Sequence, residues 1–466
     1  MSEKRIKPKR VLGLFPVIMI NVIAVDSIRT LPFAAELGFS LLFYYLLAAV
    51  TFFLPSALVS AELGSGWPTT GGIYIWCREA FGKTWGLIII WLEWICNVVW
   101  YPTIMALIVG VLTYFFDPSL AYNKLYMIST ILLIFWGATF LNCLGMKASS
   151  WLSVVSALVG TIIPMIFIAF LGVIWWMNDH PMEISFSWSS FFPSRASSDN
   201  LAFLSNVLFG LIGLDMAATH AGDMKNPTRD YPRALGISVI IILTTIILAS
   251  LAIAMTVPNK ELSLVTGSLQ AFIIFLSRFH LHWLVPVMAF FIVLGGLGGV
   301  GAWIIGPTKG LMIASRDGSL PSALGKVNKH GAPARILILQ GVIVSLLCLA
   351  FVIMPSVQGS FWLLSIITAQ LAMLVYVFLF LAGIVLRFNA PNVQRPFKIP
   401  YGNMGMIAVG SLGMLACIIA IALGFVIPKQ ADIVSAFSYE ALLIGGLGTM
   451  LLLPYIIHKL FKALSK

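Results

Sequence analysis

Four ionisable side chains in this sequence stand inside runs that are otherwise apolar. Asp26 and Arg29 lie in Asn21-Val-Ile-Ala-Val-Asp26-Ser27-Ile-Arg29-Thr30-Leu-Pro32, Glu93 in the run 85–115, and Asp215 in Phe209-Gly210-Leu-Ile-Gly213-Leu-Asp215. A charge near the centre of a bilayer costs at least about 2.5–3.5 kcal/mol on insertion scales, so it normally faces a cavity or a partner. Groups of this kind contact a charged solute or carry a proton. Asp26 and Arg29 are spaced i,i+3 and can face each other if that turn is helical. Asp26 lies roughly 22 Å along a helix from residue 11, past the midplane, at about 1.5 Å per residue. Two readings stand for this pair: contact with a solute by one or both groups, or a private ion pair with the arginine reaching to the outer interface. Glu93 has no evident role.

Gly210 and Gly213, three apart and followed by Asp215, mark a helix break. Backbone amides freed there can bind a carboxylate at the positive end of a half-helix. Close helix packing through small residues competes as an explanation. It applies more naturally to Gly295, Gly296, Gly298, Gly299 and Gly301.

The elements that must position these groups follow from composition. Of the 466 residues 60% are hydrophobic and 10% charged, against roughly a quarter charged in a soluble domain. A helix needs about 20 mostly apolar residues to cross the hydrocarbon core. Such runs fall near 11–35, 40–60, 85–115, 125–143, 151–177 and 201–221, then 234–257, 283–314, 335–354, 361–386, 404–427 and 438–457. We number them spans 1–12. They predict an all-α polytopic membrane protein with no soluble domain. The N-terminal run is too long, and too charged at Asp26 and Arg29, for a cleavable signal peptide, and reads as an uncleaved first helix.

The net charge of +11 is unevenly placed. With the N-terminus in the cytoplasm, the outside receives only Lys124, Arg195, Lys260, Arg278 and Lys429; the other loop and terminal cations fall inside. This is the positive-inside pattern, so both termini are expected in the cytoplasm and the charge calls for no nucleic-acid partner. The five cysteines are scattered without metal or disulfide spacing. No H-E-x-x-H, G-x-S-x-G or Walker loop occurs, so neither an enzyme nor a cofactor or metal site is expected. His220 lies near the inner end of span 6, and His280 and His282 on an outer loop.

Spans 3 and 8 are the long ones, and each follows an amphipathic stretch, 64–83 or 260–282. Spans 1 and 6 each hold an acid. These matches predict two five-helix repeats of opposite topology, 11–177 and 201–386, after a basic segment 1–10. Helices 11 and 12 (404–457) and a short tail, 458–466, follow the repeats. Solutes bind between interrupted helices in such folds.

One stretch is distinctive: Ala218-Thr-His-Ala-Gly-Asp-Met-Lys-Asn-Pro-Thr-Arg-Asp-Tyr-Pro-Arg-Ala234, with Ala302-Trp-Ile-Ile-Gly-Pro-Thr-Lys-Gly310, Lys329-His-Gly-Ala-Pro333 and Gly71-Gly-Ile-Tyr-Ile-Trp76 in support. In these, and along nearly its whole length, the chain resembles the amino acid–polyamine–organocation transporters, and most of all the bacterial glutamate/γ-aminobutyrate antiporters. The resemblance implies a LeuT-like inverted repeat, alternating access, and a small-molecule amino-acid site where spans 1 and 6 unwind. Exchange, or proton-coupled uptake of an amino acid or amine, across the bacterial inner membrane is the implied activity. The span 1 break falls on Val25-Asp26-Ser27, where this chain offers an acid and no glycine. The span 6 motif falls on Gly213-Leu-Asp215, and the aromatic that covers substrate on Phe209. Arg29 stands where the glutamate antiporters have a tyrosine, and Gly299 where they have a glutamate. Ile23, Ser27, Gly210 and Trp303 complete the implied site. The C-terminal plug of those antiporters has no counterpart before Lys466, so transport is expected to persist near pH 7.

Overall fold

A computed structural model of the protein describes residues 12–144, 153–193, 204–205, 207–258, 267–349, 351, 357–426 and 436–464. The basic segment 1–10, the end of the tail at 465–466, and Lys147, Arg195, Lys260 and Lys429 lie outside the described residues. Among the described residues there is no strand, and one isolated parallel bridge joins Leu12 to Met224.

The helices are α1 (Leu14–Val25), α2 (Leu31–Ala35), α3 (Gly38–Gly66), α4 (Ile73–Phe81), α5 (Lys83–Thr113), α6 (Lys124–Cys143) and α7 (Ser153–Met177). They continue as α8 (Pro227–Thr256), α9 (Gly267–Arg278), α10 (Val285–Arg316), α11 (Ala334–Leu347), α12 (Val357–Asn389), α13 (Gly402–Leu423) and α14 (Ala436–Leu464). Among the described residues nine are long and apolar enough to cross a bilayer: α3, α5, α6, α7, α8, α10, α12, α13 and α14. The protein is therefore a multi-pass membrane protein. The expected spans missing from that set are 1, 6 and 9. Span 6, whose glycines predicted a break, and span 1, where the family resemblance implied one, are both broken. Only 14 residues of span 9 are described as α11.

The two long helices are α5, with 31 residues, and α10, with 32. At about 1.5 Å per residue each runs to nearly 50 Å, well beyond the roughly 30 Å hydrocarbon core. The amphipathic stretches before them form the short helices α4 and α9. α4 is buried on all sides over its first half, Ile73 to Cys77. α5 is almost wholly enclosed and packs on α10 and α12, whereas α14 exposes most of its surface. An alanine at Gly295 would put its Cβ 2.5 Å from the Gly160 carbonyl, and one at Gly298 2.0 Å from Ser156 Cβ. The backbones of α7 and α10 thus meet directly, as small residues permit. Gly160 lies in a π-helical turn of α7, Leu158–Ile162.

Candidate functional site

α1 stops at Val25. Asp26 (φ −74°, ψ 124°) and Ser27 (φ −145°, ψ 126°) are extended, and a 3₁₀ turn, Ile28–Thr30, leads into α2. Pro32 stands in the first turn of α2, where its missing N–H costs nothing. The condition for an i,i+3 contact between Asp26 and Arg29 is therefore not met: no helical turn joins them. Freed backbone groups find partners elsewhere. The Ala24 carbonyl accepts from Trp303 Nε1 at 3.0 Å, and Ser27 Oγ accepts from the Arg29 amide at 3.4 Å. Thr30 Oγ1 donates to the Ser27 carbonyl at 2.8 Å.

Span 6 breaks after Gly210 and resumes as a 3₁₀ helix, Met216–Asp223. Gly213 has φ +126°, a conformation that only glycine adopts readily. Its amide donates to Tyr376 Oη at 2.9 Å, and the same hydroxyl donates to Asp215 Oδ1. A Cβ at Gly213 would lie 2.9 Å from Trp303 Cζ2 and 3.0 Å from the Ala24 carbonyl oxygen, and one at Gly210 would lie 3.4 Å from Thr30 Cγ2. The two breaks are in contact.

They open onto one cavity. Ile23, Asp26, Ser27, Arg29, Phe209, Gly210, Asp215, Gly299 and Trp303 line it; Gly213 stands behind the lining, packed on Ala24 and Trp303. Gly299 approaches span 1 backbone, its position for a Cβ being 3.5 Å from the Ile23 carbonyl oxygen. Asp26 is 2% exposed. Its Oδ2 meets Thr245 Oγ1 at 2.7 Å, while Oδ1 has no hydrogen-bond partner.

Sequence reasoning missed several lining residues. On α5 the positions 93, 97, 100, 104 and 107 follow a helical i,i+4,i+7 stripe, and all five side chains line the cavity. That periodicity was legible in Glu93, Asn97 and Trp100. Tyr376 and Thr368 on α12, and Thr161 on α7, carry no local sequence signal.

At the end of the bundle where the basic residues gather, ion pairs join the same elements. Lys309 Nζ lies 2.7 Å from Asp223 Oδ2 and 3.2 Å from His220 Nδ1, tying the second half of span 6 to α10. Burial raises the Asp223 carboxyl, yet His220 and Lys309 outweigh it and hold the group well below the usual carboxylate range. Arg78 pairs with Asp317, which also accepts from Tyr74 Oη at 2.9 Å. Glu62, fully buried, pairs with Arg387 and with Arg395 at 3.0 Å, and accepts from the Ile399 amide at 2.8 Å.

Among known protein families, the model described as amino acid permease matches residues 12–447. The chain is 49% identical over 451 residues to a protein described as an uncharacterized transporter of Legionella pneumophila, covering 97% of each. It is 28% identical to the glutamate/gamma-aminobutyrate antiporter of Lactococcus lactis, over 99% of this chain and 91% of that one. A probable agmatine/putrescine antiporter of the same species is 25% identical, over 94% and 93% of the two chains.

Proposed function

Since the chain belongs to the amino acid permease family, we propose that it is a secondary transporter working by alternating access, exchanging an amino acid or a closely related amine across the bacterial inner membrane. The observation that carries this reading is the meeting of two interrupted helices, span 1 at Asp26–Ser27 and span 6 at Gly210–Asp215, on one buried cavity. Relatives named as antiporters of glutamate and gamma-aminobutyrate, and of agmatine and putrescine, support exchange and a small amine-bearing solute.

Twelve spans, an inverted pair of five-helix repeats over 11–177 and 201–386, and cytoplasmic termini belong to this proposal. In it Asp26 contacts the solute's ammonium, and Phe209 and Trp303 pack over its body. A carboxylate at the span 6 break competes with Tyr376 for the Gly213 amide, because that N–H already donates to the tyrosine hydroxyl. Spans 1 and 6 rock against the frame of α5, α7, α10 and α12, and the Lys309–Asp223 pair breaks as the inner side opens.

A specific observation favours a second reading, proton-coupled symport. Thr245 Oγ1 lies 2.7 Å from Asp26 Oδ2 and 2.8 Å from the Ile241 carbonyl oxygen. A hydroxyl has one proton. When it serves the carbonyl of its own helix, the carboxyl must supply the proton of the other bond, and Asp26 is then neutral.

Counterflow in proteoliposomes tests both. Exchange predicts saturable uptake of a radiolabelled solute that accelerates when unlabelled solute is loaded inside. Symport predicts uptake driven by an inward proton gradient with nothing loaded. Non-saturable flux would overturn transport by alternating access.

A further inference from the structure

The cavity holds more acid than base. Asp26, Glu93 and Asp215 line it, and among the described residues Arg29 is the one lysine or arginine of the lining. The transport reading gives Asp26 a solute ammonium, and Arg29 can balance one more carboxyl, which leaves one acid over. Asp215 accepts from Tyr376. Glu93 is 5% exposed, and its Oε2 accepts no hydrogen bond. Asp215 lines the same cavity. Two carboxyls in apolar surroundings, one with an unserved oxygen, are tolerated where a cation comes to meet them.

The walls suit an organic cation in particular. Trp100 stands seven residues beyond Glu93 on the same face of α5, about 10 Å along the helix axis. Its ring centroid is 6.3 Å from that of Trp303, and both rings line the cavity. Tryptophan faces attract ammonium and guanidinium groups. A small inorganic cation would instead call for a shell of several oxygen ligands.

We propose that Glu93, with Asp215 and the Trp100–Trp303 pair, forms a second cation subsite, so that the solute carries an ammonium or guanidinium group distal to the one held at the span 1 break. A basic amino acid and an α,ω-diamine share that chemistry. The proposal rests on the transport reading of the same cavity and narrows its substrate.

Calorimetric titration of the purified full-length protein with matched pairs tests it. Lysine against norleucine, and 1,4-diaminobutane against butylamine, differ only at the distal cation. In the wild type the distal cation should tighten binding within at least one pair, and which pair responds separates amino acid from diamine. Glu93→Gln should cut that preference by about 30-fold or more, the loss expected for one partner of a desolvated charge pair. Glu93→Asp, which keeps the charge, should retain part of it, and decides the matter if Glu93→Gln binds neither member. Binding of the neutral member with no preference for the cation overturns the subsite and leaves the transporter standing. So does a preference that survives Glu93→Gln. Absence of saturable uptake of lysine and of 1,4-diaminobutane in counterflow overturns the subsite, and the transport reading falls with it only if a full panel of amino acids and amines shows none either.

Discussion

Asp26→Asn separates the roles open to the acid at the span 1 break. The side chain is 2% exposed, its Oδ2 faces Thr245, and its Oδ1 meets nothing in the protein. Asparagine has the same shape and still offers Thr245 a hydrogen-bonding partner, so the variant should insert and fold. What it loses is charge. Removing one partner of a desolvated charge pair typically costs about 2–5 kcal/mol. At about 1.4 kcal/mol per decade this weakens binding of an amine-bearing solute by roughly 30-fold to several thousand-fold. The alternative is that Asp26 serves only to neutralise Arg29. In that case Asp26→Asn combined with Arg29→Gln should restore the affinity the single change lost. Both residues line the cavity, and if Asp26 meets the solute the double variant should stay defective. Titration of the single and double variants decides the matter. Affinity within threefold of wild type for Asp26→Asn, or rescue by the second change, would refute a solute contact.

Gly213→Ala forces a side chain into φ +126°, 2.9 Å from Trp303. The backbone strain alone is about 1–3 kcal/mol, so thermal unfolding in detergent should start at lower temperature. Gly236→Ala, in α8 with nothing within 4 Å of the added carbon, should unfold no earlier than wild type. Asp223→Asn removes one partner of a largely buried pair with Lys309, a loss of about 3 kcal/mol, and should lower the unfolding temperature at pH 7. Because the folded-state pKa of Asp223 is depressed, its contribution is present above the ordinary carboxylate range and fades as pH falls below it. The gap between variant and wild type should therefore begin to narrow below about pH 4, close only as pH falls through the depressed folded-state value, and stay constant from pH 6 to 8. For topology, cysteines at 190 should react with an impermeant thiol reagent from outside intact cells, and cysteines at 230 and 328 should not. Labelling at 230 would overturn the proposed orientation. Position 432, expected outside, lies outside the described residues.

Composition and apolar run length were enough for the membrane class and most of the spans, because a bilayer demands long apolar helices whatever they pack against. The span 6 break was legible in Gly210 and Gly213 ahead of Asp215. The span 1 break came from the family resemblance alone: Val25-Asp26-Ser27 holds no glycine, and Glu93 sits in an unbroken helix, so an acid in an apolar run does not by itself mark a break. Partners were not legible. Thr245, Trp303 and Tyr376 sit more than 150 residues in sequence from the groups they bond, and each looks locally like any other residue of an apolar helix. The i,i+3 contact of Asp26 and Arg29 was conditional on a helical turn, and the ladder ends before it. Glu93 was seen as a buried acid, but its role depends on Trp100 and Asp215 sharing its cavity, which only the folded chain reveals.

The Glu62 cluster carries a consequence for biosynthesis. Glu62 belongs to the second span, while Arg387 follows it by 325 residues and Arg395 by 333. At about 5–20 residues per second, roughly 15 to 65 seconds separate the emergence of the acid from that of its first partner. During that interval a carboxylate destined for complete enclosure has neither guanidinium available. The segment that carries it can reach its final seat only after α12 and the loop behind it have been made. A ribosome stalled before Arg387 should therefore hold span 2 in an environment still open to water. Seating of span 2 is then timed by the arrival of two arginines, 325 and 333 residues further along the chain.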